Sequence, residues 1–231
     1  MLVEEKLYIS PNYNAKHYLD IGLSLGSPDK NWRKAVAILE DRINGRYLNP
    51  IQELIRHSPN ENKDNNVITN GFAAMALMCL LIETFMQFRN GDTGTPSLLT
   101  KNNYIRFMQE CLGYDRNLAN IFYSDIRCGI LHSAETKNGS FLIPKKTIKT
   151  IDVKTEKGKT TIGVSIPKML NDLKLYFHKY CNELLDSQNT KCRENFIKKM
   201  NSLTTKHGNT KLHTIPRSSR GQHTRPRTLT R

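Results

Sequence analysis

Two side chains in this sequence have the types and spacing for proton transfer at a phosphodiester. Arg127 and His132 stand in the run Ser124-Asp125-Ile126-Arg127-Cys128-Gly129-Ile130-Leu131-His132. Histidine exchanges protons near neutral pH. Arginine keeps its charge and presents a forked set of donors that matches a phosphate. In kind, the pair suffices for cleaving RNA without a metal. The imidazole takes the 2′-OH proton or protonates the leaving 5′-oxygen, and the guanidinium stabilises the phosphorane. Asp125 lies seven residues before His132, on roughly the same helix face, and is a candidate to orient the imidazole.

Spacing alone is weak support, since the C-terminal tail carries a similar pair, Arg217 and His223, by coincidence. A purely structural reading stays open. Arg127 would then be an ion-pair partner of Glu83, and His132 a helix C-terminal residue favoured by the macrodipole. Glu83 ends an apolar run and needs a counter-charge, for which Arg127 is the first candidate. Such a contact would position Arg127, which makes Glu83 a supporting residue in either reading. Asn120, Tyr123 and Ser124, one turn earlier, either line the same cleft or form a solvated helix face.

The elements that must hold these residues are mostly helical. Ser27-Pro28 reads as a helix start, with Ser27 as N-cap and Pro28 at the first helical position. Trp32, Val36, Leu39 and Ile43 follow at helical spacing, and Asn44-Gly45 suggests a break. Tyr47, Leu48, Ile51, Leu54 and Ile55 continue to about His57, and a polar loop spans 58–70. Gly71–Phe88 is apolar almost all round, so other helices must surround it. Thr100 can cap a helix carrying Tyr104, Ile105, Met108 and Leu112. The next helix, from about Arg116 to Leu131, turns Leu118, Ile121, Phe122 and Ile126 inward and carries the Arg–His pair.

After Gly139 the period changes to two. Ile151 and Val153, then Ile162, Val164 and Ile166, flank Glu156-Lys157-Gly158 and predict a hairpin at about 141–166. Pro167 opens an amphipathic helix burying Leu170, Leu173, Phe177, Cys181 and Leu184, and a short helix covers 190–200. The expected organisation is an N-terminal extension (1–26), a helical domain with the hairpin (27–200) and a disordered basic tail (201–231).

The Gly71–Phe88 helix, followed after a linking helix by Phe122–Glu135 with its Arg127-x-x-x-x-His132, resembles the HEPN superfamily (higher eukaryotes and prokaryotes nucleotide-binding). The likeness is to an uncharacterised bacterial branch and extends loosely from Trp32 to Met200. It implies a mainly α fold, an HEPN-like helical bundle to which the hairpin and the basic tail are additions. It also implies a homodimer in which Arg127 and His132 of both protomers meet at the dimer cleft and cut RNA without a metal or cofactor. Catalytic members act as toxins, which suggests a cognate antitoxin, and in defence against phage. Other members bind nucleotides or partners without cleaving them, so a binding module is the alternative.

Charge and composition set the remaining bounds. The chain has 231 residues, 38% hydrophobic and 24% charged, with a formal net charge of +14. Nine positive charges fall after Glu194, where no acidic residue occurs, which leaves residues 1–194 at +5. An anionic partner is expected, with RNA first. Lys145, Lys146 and Lys149, together with Lys154, Lys157 and Lys159 of the hairpin, either guide an RNA backbone or guard the ribbon's edge against aggregation. The tail is a nonspecific phosphate binder or a dispensable extension.

The five cysteines lack a C-x-x-C pair, and Met1–Lys6 does not read as a signal peptide, so a cytoplasmic setting is expected. The unbroken apolar part of Gly71–Phe88 stops at Ile82, too short for a span of about 20 residues, so a buried core helix is expected and no membrane. His178 and Cys181 fall within one helical turn, but nothing supplies the other ligands a zinc site needs, so no metal is expected.

Overall fold

The computed structural model describes residues 6–57, 70–93 and 101–205. The polar loop expected at 58–70 (all but Asn70), the Thr100 cap and the basic tail beyond Thr205 lie outside the described residues. The chain runs through α1 (Ala15–Leu19), α2 (Asp29–Ile43), α3 (Asn49–Arg56), α4 (Gly71–Asn90), α5 (Lys101–Leu112), α6 (Arg116–Ile121) and α7 (Cys128–Ser133). Three strands follow, β1 (Phe141–Ile143), β2 (Ile151–Glu156) and β3 (Lys159–Ser165), then α8 (Ile166–Leu185) and α9 (Thr190–Thr205). The fold is mainly α with a small β insertion, as the periodicities predict.

The α4 helix is the hub. Met75, Met78, Cys79, Leu81, Ile82 and Phe85 are buried on it, and α3, α5, α7, α8 and α9 pack around it. By length and composition α4 would be long enough to cross a membrane, yet 61% of its apolar window is buried inside the fold. Burying an apolar side chain of this size contributes about 1.5–3 kcal/mol, so the helix is held by its neighbours rather than by its own propensity. Arg89 near its C-terminal end forms an ion pair with Glu183 of α8. Leu170, Leu173, Phe177, Cys181 and Leu184 are all buried on α8, on the stripe read from the sequence.

Local details depart from the sequence reading where backbone chemistry overrides side-chain pattern. Helix α2 begins at Asp29, with Pro28 in the N-cap position, because the Ser27 hydroxyl is engaged by Ser24 instead. The Asn44-Gly45 break is a wide helical turn, Asn44–Leu48, that joins α2 to α3 without interruption. In it the Asn49 N–H reaches back five residues to Asn44. Pro50, which has no N–H to give, follows at the start of α3.

Both ends of the chain's described part belong to the core. Within the expected extension, Ile9, Ala15 and Tyr18 are buried, and Arg42 and Arg46 bond the carbonyls of Ile9 and Tyr8. Helix α9 runs past Met200 to Thr205. Its Arg193 is buried over the Trp32 ring at 4.2 Å and donates to the Leu184 and Leu185 carbonyls, capping the end of α8.

The hairpin is present and is part of a three-stranded sheet in the order β1-β3-β2. β2 and β3 pair antiparallel through a tight turn with Lys157 and Gly158 both at positive φ. β1 pairs parallel to β3 at its outer edge. Ile162 and Val164 of β3 face the core.

Candidate functional site

Arg127 and His132 sit on one continuous helix, Arg116–Ser133, which contains a second wide turn at Phe122–Arg127. There the Cys128 N–H bonds the Tyr123 carbonyl, five residues back. The extra residue turns everything after it by about 100° relative to a regular helix. Leu118 and Ile121, ahead of the wide turn, are half-buried, while Phe122 and Ile126 within it are fully buried.

The guanidinium of Arg127 is anchored on the central helix. Its Nε donates to Glu83 Oε1 at 2.8 Å and its Nη2 to the same oxygen at 2.5 Å. The two side chains are 16% and 11% exposed, so the pair is largely removed from water. Nη1 is left over, and it points along the helix to His132 Nε2 at 3.4 Å and to Cys128 Sγ at 3.9 Å. Because the guanidinium always donates, this long contact needs an imidazole whose Nε2 is unprotonated, with the proton on Nδ1. The Tyr123 ring lies under Arg127, 5.4 Å from Cζ, and Tyr104 supports it edge-on at 5.2 Å.

The electrostatics favour a charged guanidinium here. Burial works against the charge on Arg127, and the Glu83 hydrogen bonds outweigh it, holding the guanidinium above its ordinary value. Burial pushes the Cys79 thiol up to about 12, and it raises the Tyr104 and Tyr123 phenols as well. These neighbours therefore stay neutral around the Arg127–Glu83 pair, and His132 stands at the exposed rim.

Asp125 does not serve His132. Its carboxylate is buried and accepts from the Ser124 hydroxyl at 2.8 Å, the Asn138 amide at 2.8 Å and the Ser140 hydroxyl at 2.9 Å. Ser140 in turn accepts the Ile162 N–H of β3 at 3.2 Å. The wide turn rotates Asp125 into the protein, away from the rim, so it fastens the sheet to the helix that carries the Arg–His pair. Gly129, between Arg127 and His132, allows the same folding back: a Cβ there would collide with the Glu135 carbonyl oxygen. Of the expected companions, Tyr123 reaches Arg127, Ser124 serves Asp125, and Asn120 is exposed.

Lys145, Lys146 and Lys149 are exposed on the connection from β1 to β2, beyond the far end of β1 from Ser140. A basic concavity lies elsewhere on the sheet, a space of about 620 Å³ lined by Gly139, Phe141, Lys154, Glu156, Lys159 and Thr161. Phe141 is the residue the sequence reading missed. Its signal was an aromatic in period-two register with the lysines across the sheet. Of the Arg127–His132 pair, Arg127 is half-buried and His132 is exposed. Among the described residues, no group of three or more His, Cys, Asp or Glu is arranged to hold a metal ion. Comparison with protein-family models, curated proteins and solved structures finds no match to this chain.

Proposed function

We propose that this chain is an endoribonuclease of HEPN type that cuts RNA without a metal, through a composite site made when two copies bring their Arg127–His132 pairs together. The observation that carries this reading is the division of labour within one guanidinium. Glu83 occupies Nε and Nη2, and Nη1 remains on the His132 side of the site. A base and a permanent cation are thereby held side by side on a rigid helix, which is what in-line attack by a 2′-OH needs.

In that reaction a neutral His132 takes the 2′-OH proton as the 2′-oxygen attacks phosphorus. The bond to the 5′-oxygen breaks, and a protonated His132 from the second copy delivers a proton to it. The products are a 2′,3′-cyclic phosphate and a 5′-hydroxyl end. One open pair supplies a base or an acid but not both at once, which is why the reading requires two copies. A cytoplasmic toxin or anti-phage component, held in check by an antitoxin, is the biological setting that the HEPN resemblance suggests.

The test is incubation of the purified chain with mixed RNA in EDTA, wild type beside His132→Ala. Cleavage by wild type alone, leaving cyclic phosphate ends, is the expected result. The second reading is a non-catalytic module that binds RNA, a nucleotide or a protein. It is favoured by the hold of Glu83 on Arg127, which takes two of the five guanidinium N–H donors and offsets the charge offered to a phosphate. No cleavage by a folded dimeric wild type would select it.

A further inference from the structure

The outward face of the sheet combines charge, an aromatic ring and a fixed relation to Arg127. Paired residues on neighbouring strands project to the same side, and the side alternates along each strand. Phe141 pairs with Gly163, Lys154 with Thr161, and Glu156 with Lys159. Gly163, Thr161 and Lys159 alternate with the buried Ile162 and Val164, so Phe141, Lys154, Glu156 and Lys159 all face outward. Lys157 extends the patch at the tight turn.

Phe141 is 41% exposed and is not a stray core residue. Its ring lies across Gly163, where an added Cβ would come within 2.8 Å of Cζ. The missing side chain lets the ring rest flat on the sheet at one end of the basic concavity. From Lys137 through Ser165, both included, the chain carries seven lysines against Asp152 and Glu156. Edge protection explains lysines; it does not explain an exposed aromatic seated among them.

We propose that this face binds single-stranded RNA, with an unstacked base on Phe141 and backbone phosphates on Lys154, Lys157 and Lys159. Bases in a duplex are already stacked on one another, so an exposed ring beside lysines favours a single strand. The proposal rests on the ribonuclease reading for its purpose: the strand would be held next to the cleaving pair. The relay from Asp125 through Ser140 to the Ile162 N–H joins the start of β1, and so Phe141, to the helix two residues before Arg127. The binding face and the Arg–His pair therefore keep a fixed distance.

The test uses the full chain carrying His132→Ala, so that the probe stays intact. A labelled single-stranded RNA of about 12 nucleotides, within the ~4–16 covered by single-strand binders, is titrated by fluorescence anisotropy beside its duplex. The single strand should bind more tightly than the duplex. Phe141→Ala should weaken single-strand binding by about 5–150-fold with its salt dependence unchanged. Replacing Lys154, Lys157 and Lys159 together by Ala should reduce the slope of log affinity against log salt by about 2, at roughly 0.7 per phosphate. Removing Lys30, Arg33 and Lys34 of α2 subtracts the same charge elsewhere and should do less. No binding of the single strand, an unaltered affinity in both sheet variants, or an equal loss in the α2 control would overturn the proposal. With His132 restored, cleavage at unchanged KM in the sheet variants would remove this surface and leave the nuclease reading standing. Binding lost in the sheet variants, with no cleavage by wild type, would support the surface and remove the nuclease reading.

Discussion

Glu83 holds Arg127 through a single carboxylate oxygen, which accepts from Nε at 2.8 Å and from Nη2 at 2.5 Å. The pair is mostly but not fully buried, so removing one partner should cost less than the 3–5 kcal/mol typical of a fully buried ion pair. Glu83→Ala is expected to destabilise the fold by about 1–3 kcal/mol in chemical denaturation, by leaving the guanidinium without its counter-charge. The double variant Glu83→Ala/Arg127→Ala should recover part of that loss. Purely additive losses would show that the contact carries no coupling.

Arg127→Lys separates holding from chemistry. A lysine ammonium can still meet Glu83 as a point charge, but it has no fork with which to touch Glu83 and His132 together. The melting temperature should stay within a few degrees of wild type, using ~2–4 °C per kcal/mol for a chain of this size. RNA cleavage in EDTA should fall by roughly 10²-fold or more, the scale of losing one preorganised donor to the transition state. Full cleavage by Arg127→Lys would mean that Arg127 only pins the helix.

The Glu83–Arg127 contact was legible in the sequence because a carboxylate beside an apolar helix has few ways to be satisfied. So was the α8 stripe, where Leu170 to Leu184 repeat at helical spacing and all end up buried. Asp125 shows where such reading stops. Seven residues place it on the His132 face only if every turn between them is regular, and the wide turn at Phe122–Arg127 breaks that assumption. No residue type in that segment announces such a turn. β1 escaped for a different reason: three residues without a turn signal acquire strand character only when β3 is there to pair with.

Asp125→Asn tests the corrected role. The amide would turn donors toward Ser140 or Asn138, which already donate to this site. A loss of about 1–3 kcal/mol is expected, with faster hydrogen exchange at the Ile162 amide, whose acceptor Ser140 would be freed. Cleavage should fall evenly across pH. A change in the shape of the pH–rate profile would instead return Asp125 to a role in orienting His132.

Burial of the thiols gives the fold an alkaline weakness. Cys79 and Cys181 are pushed from 9.0 up to about 12, and Cys192 up to about 11, in each case chiefly by burial. A thiol raised in the folded state stabilises fully below pH 9, where both states hold the proton. Above pH 9 the unfolded chain ionises first, so stability falls as pH rises toward the folded values. Between pH 9 and 10, before unfolded tyrosines ionise, Cys79→Ala should flatten the slope of stability against pH by up to ~1.4 kcal/mol per unit. An unchanged slope would mean that the Cys79 thiol is not shifted by burial.

Gly129→Ala isolates the loop reversal next to His132. By helix propensity alone the substitution should stabilise the Arg116–Ser133 helix by about 1 kcal/mol. The added methyl, however, would meet the Glu135 carbonyl oxygen, Thr136 Cα and Lys137 Cγ, and the first two belong to backbone that cannot swing aside cheaply. A net loss of about 1–3 kcal/mol is therefore expected, the range for overpacking. The displacement would also pull on the Lys137 N–H bond to the Asp125 carbonyl, 3.0 Å long, and so on the segment that leads into Ser140 and Phe141. Weaker binding of single-stranded RNA with Arg127 and His132 both intact should accompany the loss of stability. A Gly129→Ala protein that is more stable than wild type would show that the 134–137 loop is free to move and does not tie the sheet to the Arg–His pair.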